Sequence, residues 1–156
     1  MATLEDAIAY ILREYPYRDE TSNARVTKML YLADWHNLIQ GKQSVTNVQW
    51  YFDNYGPFVW DVRNAVAQSR VMSIETTQNY YGTPKDQFVL TDAAYEPDLS
   101  ADEKAALDHV ITETKALTWP AFIKLVYSTY PVATSERYTR LNLVAKAKEY
   151  RRLEAR

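Results

Sequence analysis

Apolar side chains recur every three or four residues along most of this chain, which is the spacing of one face of a helix. Helix-start signals support that pattern, because Thr3 with Asp6 and Ser100 with Glu103 have the spacing of capping boxes. Gly41 is placed to end the second helix. The pattern predicts helices over residues 4–15, 23–40, 58–69, 100–116, 118–128 and 138–153.

Two other segments lack the helical period. Residues 70–75 and 87–91 are short apolar runs on either side of a polar loop with a glycine and a proline, which predicts an antiparallel hairpin with a long tip. Residues 42–57 fit either a short strand or a helix start, and they are dense in aromatic side chains. We therefore expect a mainly α fold over residues 1–156, a single compact domain of about six helices with a small antiparallel β-hairpin.

Composition narrows the class of protein. The chain has 156 residues, 47% hydrophobic and 24% charged, with a net charge of −2 and no cysteine. These values are typical of a globular domain, exclude disulfides and thiolate metal sites, and argue mildly against a nucleic-acid binder. The first residues do not resemble a signal peptide, and no apolar run is long enough to span a membrane. We expect a cytoplasmic protein with no membrane partner.

The sequence contains no local catalytic motif, although its many carboxylates leave open an acid/base pair assembled from distant residues, as in an unusual enzyme. The three glycines are scattered, so no phosphate-cradling loop is present, and the two histidines, His36 and His109, stand in different predicted helices. Asp34 is two residues from His36, and such neighbours do not share a helix face. We expect no enzyme activity, no catalytic residues, no cofactor and no metal site.

Charge is unevenly distributed along the chain. Residues 86–103 contain six acids and no Lys or Arg, whereas residues 137–156 contain seven cations and two acids. The basic segment fits either an electropositive face for an acidic partner or nucleic acid, or a solvated helix whose cations lie near its C-terminal end.

Two segments carry a family resemblance. Residues 28–36 read KMLYLADWH, and residues 52–59 read FDNYGPFV. The first resembles the K-L-L-Y-x-A-D-x-x-H helix of the Panacea (SocA-like) antitoxin domain, and the second resembles the aromatic Y-G-P-V turn that follows it. Weaker similarity at residues 100–110 and 127–131 extends the resemblance over most of the chain. The matching motif residues are Lys28, Tyr31, Asp34, Trp35, His36, Tyr55, Gly56 and Pro57.

The resemblance implies an antitoxin of a toxin–antitoxin system, found in bacteria and their phages, that neutralises a cognate toxin by direct binding. The motif residues fit two roles, holding the fold or touching the toxin. If a contact surface exists, the aromatic residues near the turn are the candidates, because interface hot spots favour Trp and Tyr. These candidates are Tyr51, Tyr55, Phe58 and Trp60.

An alternative function remains open from the order of the elements. Helix, helix, helix and hairpin through residue 90 is also the order of a winged helix, which would make this a DNA-binding regulator. The recognition helix would then be residues 58–70, with Arg63 and Arg70 as its only cations. That is few phosphate contacts, so nucleic acid is possible as a partner but not favoured.

Overall fold

The computed structural model describes residues 3–78 and 81–155, and helices account for most of its regular structure. The helices are α1 (Leu4–Glu14), α2 (Asn23–Ile39), α3 (Asp61–Gln68), α4 (Ala101–Thr114), α5 (Trp119–Ser128), the short α6 (Tyr130–Ala133) and α7 (Leu143–Glu154). Four strands form two separate antiparallel hairpins, β1 (Tyr51–Asp53) with β2 (Gly56–Phe58) and β3 (Met72–Gln78) with β4 (Pro84–Leu90). The expected mainly α fold is confirmed, and it contains one more hairpin than the sequence predicted.

Helix α2 is the centre of the core. Its N-cap Ser22 accepts a hydrogen bond from the amide of Arg25, and Gly41 follows its end with φ +78. Apolar side chains are buried on every side of the helix, because α1, α4, α7 and β2 all pack against it. A helix enclosed in this way has no solvated face, so even its charged residues lie inside the protein.

The hairpin of β3 and β4 is longer than the sequence predicted. Met72 pairs with Leu90 at its base, and Thr77 pairs with Lys85 near its tip. The polar residues near the tip have no apolar alternation, so the pattern could not show that they continue the ladder. The apolar base packs against α1 and α3, which attaches the hairpin to the core.

The ambiguous segment 42–57 forms a loop and most of the second hairpin. Strands β1 and β2 pair in the register Tyr51 with Phe58 and Asp53 with Gly56. Because residues 56–58 are in a strand, α3 begins at Asp61 and not at residue 58 as predicted.

The last predicted helix also begins later than expected. Residues 138–141 form a turn followed by an irregular segment, and α7 starts after Asn142, whose side chain accepts from the amide of Ala145 at 3.1 Å. The predicted start at residue 138 was wrong because this segment bonds to β1 through its backbone. The amide of Phe52 donates to Thr139, and the amide of Leu141 donates to Trp50. No helix within the described residues is both long and apolar enough to cross a membrane.

Candidate protein-binding surface

The hairpin of β1 and β2 is built around a tight turn. Asn54 and Tyr55 form the turn, and Gly56 follows with φ +107, a conformation that L-residues rarely adopt. A Cβ on Gly56 would lie 3.2 Å from Cε1 of Tyr127, so the position also lacks space for a side chain. Pro57 is buried beside it. Gly56 and Pro57 therefore set the turn that carries Tyr55 outward.

The non-helical segment 138–141 holds the other edge of the hairpin. The amide of Tyr138 donates to the carbonyl of Phe52 at 2.6 Å, and its hydroxyl donates to Oδ1 of Asn54 at 2.5 Å. Tyr138 is the one described non-glycine residue with positive φ, at 69°. A bulky residue in the left-handed region is strained, and such strain is found where the surrounding structure requires it.

Several large aromatic side chains on and around this hairpin face the solvent. Tyr55 is 79% exposed, Trp60 is 62% exposed, Tyr138 is 59% exposed and Tyr51 is 36% exposed. Phe58 is half-buried, with its ring edge-on to Trp60 at 5.2 Å between centroids. We call Tyr51, Tyr55, Phe58, Trp60 and Tyr138 the aromatic surface. Four of its members are the sequence-based candidates for toxin contact, and Tyr138 joins them because only the folded chain brings residue 138 next to the turn.

Lys28 lies beneath the turn. Its Cε is 3.6 Å from the position that a Cβ on Gly56 would occupy, and the residue is only 3% exposed. Burial lowers the pKa of Lys28 to about 8, and the nearby carboxylate of Asp53 acts in the opposite direction. Lys28 and Asp34 are six residues apart in the sequence, too far along one helix to pair with each other. The structure instead places Lys28 against the hairpin, near Gly56 and Asp53.

Asp34 anchors the chain segment that leads into β1. Its carboxylate accepts from the amide of Thr46 at 2.8 Å, from the hydroxyl of Thr46 at 2.5 Å and from Nε1 of Trp50 at 2.9 Å. The residue is 1% exposed, and burial raises its pKa to about 6 while these hydrogen bonds oppose the rise. Asp34 thus ties α2 to both Thr46 and Trp50, immediately before the hairpin.

The other motif residues of α2 make contacts inside the protein. The hydroxyl of Tyr31 lies 2.7 Å from Oγ1 of Thr129, and the ring of Trp35 packs against Tyr150. His36 points away from Asp34 and stacks on His109 at 4.0 Å, a pairing that no sequence signal revealed. Burial, helped by His109, lowers the pKa of His36.

Two arginines border the aromatic surface. Arg140 pairs with Tyr51 through an isolated backbone bridge, and the guanidinium of Arg137 lies over the ring of Phe52 at 5.6 Å. In a winged-helix protein, α3 would be the helix that enters the DNA groove. Helix α3 offers fewer free cations than the border of the aromatic surface. Arg63 of α3 is bound to Asp86 at 2.8 Å, so its charge is already compensated.

The described residues hold no cluster of three or more His, Cys, Asp or Glu side chains that could bind a metal ion. The site therefore consists of a fixed hairpin, buried polar anchors beneath it and exposed aromatic rings. Such a composition suits contact with another macromolecule.

Comparison with protein families agrees with the motifs. The family model described as "Antitoxin SocA-like, Panacea domain" matches residues 26–131, from the first turn of α2 to the start of α6. Neither the curated proteins nor the solved structures give a significant match. Because the matched region is more than half of the chain and contains both signature segments, this protein belongs to the SocA-like Panacea antitoxin family.

Proposed function

We propose that this protein is an antitoxin that neutralises a cognate toxin by direct contact, with the aromatic surface as the contact. The observation that carries the proposal is the exposure of Tyr55 and Trp60 in a member of an antitoxin family. Grouped exposed aromatic rings with arginines beside them have the composition of an interface hot spot.

The rigidity of the aromatic surface favours tight binding. Pro57 fixes one backbone dihedral beside the turn, and the hairpin is bonded on one side to residues 138–141. A surface that is already ordered loses little conformational entropy when a partner covers it. The antitoxin would act without chemistry of its own, by masking the active or target-binding surface of the toxin in a stoichiometric complex.

Co-expression tests this proposal. The product of the neighbouring gene is expressed with and without this protein, and growth rescue and co-purification are measured. We expect rescue by the wild type and loss of rescue by the double variant Tyr55→Ala/Trp60→Ala, because each ring should contribute about 2 kcal/mol to binding.

A matched control separates contact from folding. Tyr81 is 87% exposed at the tip of the other hairpin, so Tyr81→Ala should rescue growth like the wild type. Toxicity that the wild type does not relieve, with no complex recovered, would overturn the proposal. Retarded migration of a promoter DNA fragment in that case would favour the regulator function.

A further inference from the structure

A cleft lies beside the aromatic surface, between the end of α2, the loop before β1 and the start of α7. It has a volume of about 280 Å³, and Leu38, Val48 and Val144 are among the apolar side chains that line it. Arg140 also lines it, and Arg140 is paired with Tyr51. The cleft is therefore continuous with the aromatic surface.

Cations follow the same side of α7 beyond the cleft. Lys148 and Arg151 are four and seven residues after Val144, so they continue its helix face. The guanidinium of Arg151 packs against Gly41, 3.3 Å from the position of a Cβ there, which places it at the end of α2. We call Arg140, Lys148 and Arg151 the basic strip; Arg140 precedes α7, and Lys148 and Arg151 lie on it.

The charges of the basic strip are uncompensated within the described part of the protein. The ion pairs there involve Arg13, Arg25, Lys42 and Arg63, and none of the three cations of the strip. The two acids of α7, Glu149 and Glu154, are absent from those ion pairs as well, and Glu149 accepts from the hydroxyl of Tyr130 at 3.4 Å. A row of free cations beside an apolar cleft is complementary to carboxylates that flank an apolar side chain.

We propose that an acidic segment of the toxin binds across the basic strip and inserts an apolar side chain into the cleft. This inference rests on the proposed antitoxin function, and it specifies the chemistry of the partner. A polypeptide is favoured over nucleic acid because about half of the residues that line the cleft are apolar, the strip has only three cations and the whole chain has a net charge of −2.

The test is the salt dependence of complex formation with the purified product of the neighbouring gene. Association and dissociation rates are measured by surface plasmon resonance between about 0.05 and 0.5 M salt, a range over which surface charges become screened. We expect the wild-type association rate to fall by about tenfold over this range. The double variant Arg140→Glu/Lys148→Glu should associate at least about tenfold more slowly at low salt.

The control variant makes an equal change in net charge at other positions on the protein. Lys104 and Lys115 are exposed on and just after α4, and Lys104→Glu/Lys115→Glu should stay within about threefold of the wild-type rate. Thermal melting of each variant checks folding, and Arg151 is left intact because it packs on Gly41.

The outcomes separate this inference from the proposed function. A tight complex whose association rate changes neither with salt nor in the strip variant would contradict the acidic segment. It would not contradict the antitoxin function. No complex at any salt would overturn both. If the strip variant instead loses binding to a promoter DNA duplex while toxin binding is unchanged, the occupant of the strip is nucleic acid and the inference is wrong.

Discussion

The motif helix α2 and the hairpin after it place their side chains in opposite ways. In α2, the charged residues Lys28 and Asp34 are buried, at 3% and 1% exposure. In and just after the hairpin, the aromatic residues Tyr55 and Trp60 are exposed, at 79% and 62%. Burying charge and exposing apolar rings are both unfavourable for an isolated domain, so each arrangement requires its own explanation.

This difference in exposure distinguishes residues that hold the fold, in α2, from residues that form an exposed surface, at the hairpin. Asp34 is fully supplied with hydrogen-bond donors from Thr46 and Trp50, so its burial serves to fix the loop that leads into β1. Tyr55 and Trp60 bury little of their surface in the fold, so stability gives no reason for their exposure. Variants in the two regions should therefore fail in different ways, through stability in one and through binding in the other.

The largest stability effect is expected at Asp34. The change Asp34→Ala leaves the amide and hydroxyl of Thr46 and the indole N–H of Trp50 without their acceptor. We expect a loss of about 3 to 4 kcal/mol in the free energy of unfolding, because buried donors then lack partners. Urea denaturation measures it. A loss below about 1 kcal/mol would show that the loop is not anchored through this carboxylate.

The same carboxylate should make stability depend on pH. Its pKa is about 6 in the folded protein against 3.8 ordinarily, so the unfolded chain releases this proton first. Stability from Asp34 is therefore greatest below about pH 4 and falls as the pH rises to about 6, by roughly 2 to 3 kcal/mol. The difference in unfolding free energy between the wild type and Asp34→Asn should show this fall. A flat difference over that range would contradict it.

Glycine substitutions can separate two effects on the free energy of unfolding, the strain of the backbone conformation and the contact that a new Cβ would make. Gly56 and Gly82 both have positive φ. A Cβ at Gly56 would meet Tyr127 at 3.2 Å, whereas a Cβ at Gly82 would have no atom of the described residues within 4 Å. Gly82→Ala should cost about 1 kcal/mol from the backbone alone, and Gly56→Ala about 2 kcal/mol. Thermal denaturation of both variants provides the comparison. Equal losses would mean that the contact with Tyr127 is relaxed without cost.

The smallest stability effect is expected at Tyr138, where scaffold and surface meet. Asn tolerates positive φ better than Tyr, so Tyr138→Asn should relieve about 1 kcal/mol of strain while it loses the hydrogen bond to Asn54. We expect stability to change by less than about 1 kcal/mol and toxin affinity to fall about tenfold. Isothermal titration calorimetry measures the affinity and thermal melting measures the stability, so together they show whether the affinity falls while the stability is kept. Unchanged affinity would remove Tyr138 from the contact.

Local signals in the sequence predicted much of the scaffold. The predicted caps Thr3 and Ser100 both accept the expected backbone hydrogen bonds, because capping depends only on residues within one turn. Gly56 has the positive φ that the turn requires. The motif residues were recognised for the same reason, since each signature segment is continuous in sequence.

Pairing between distant segments could not be predicted in this way. The bond from Phe52 to Thr139 joins residues 87 positions apart, and the stacking of His36 on His109 joins two helices. The same limit explains why residues 138–141 were assigned to a helix and why the burial of Lys28 was not foreseen. Periodicity reports which face of an element is apolar, and it carries no information about which other segment covers that face.

The late position of residues 138–141 has a consequence for synthesis. The outer edge of β1 is paired only when these residues bond to it, and they are synthesised long after the hairpin itself. A nascent chain that stops before them would carry both signature segments but lack Tyr138 and the backbone hydrogen bonds that hold β1. The aromatic surface is therefore complete only after residue 141 has been made and has left the ribosome, because contacts between distant segments form after both segments are available.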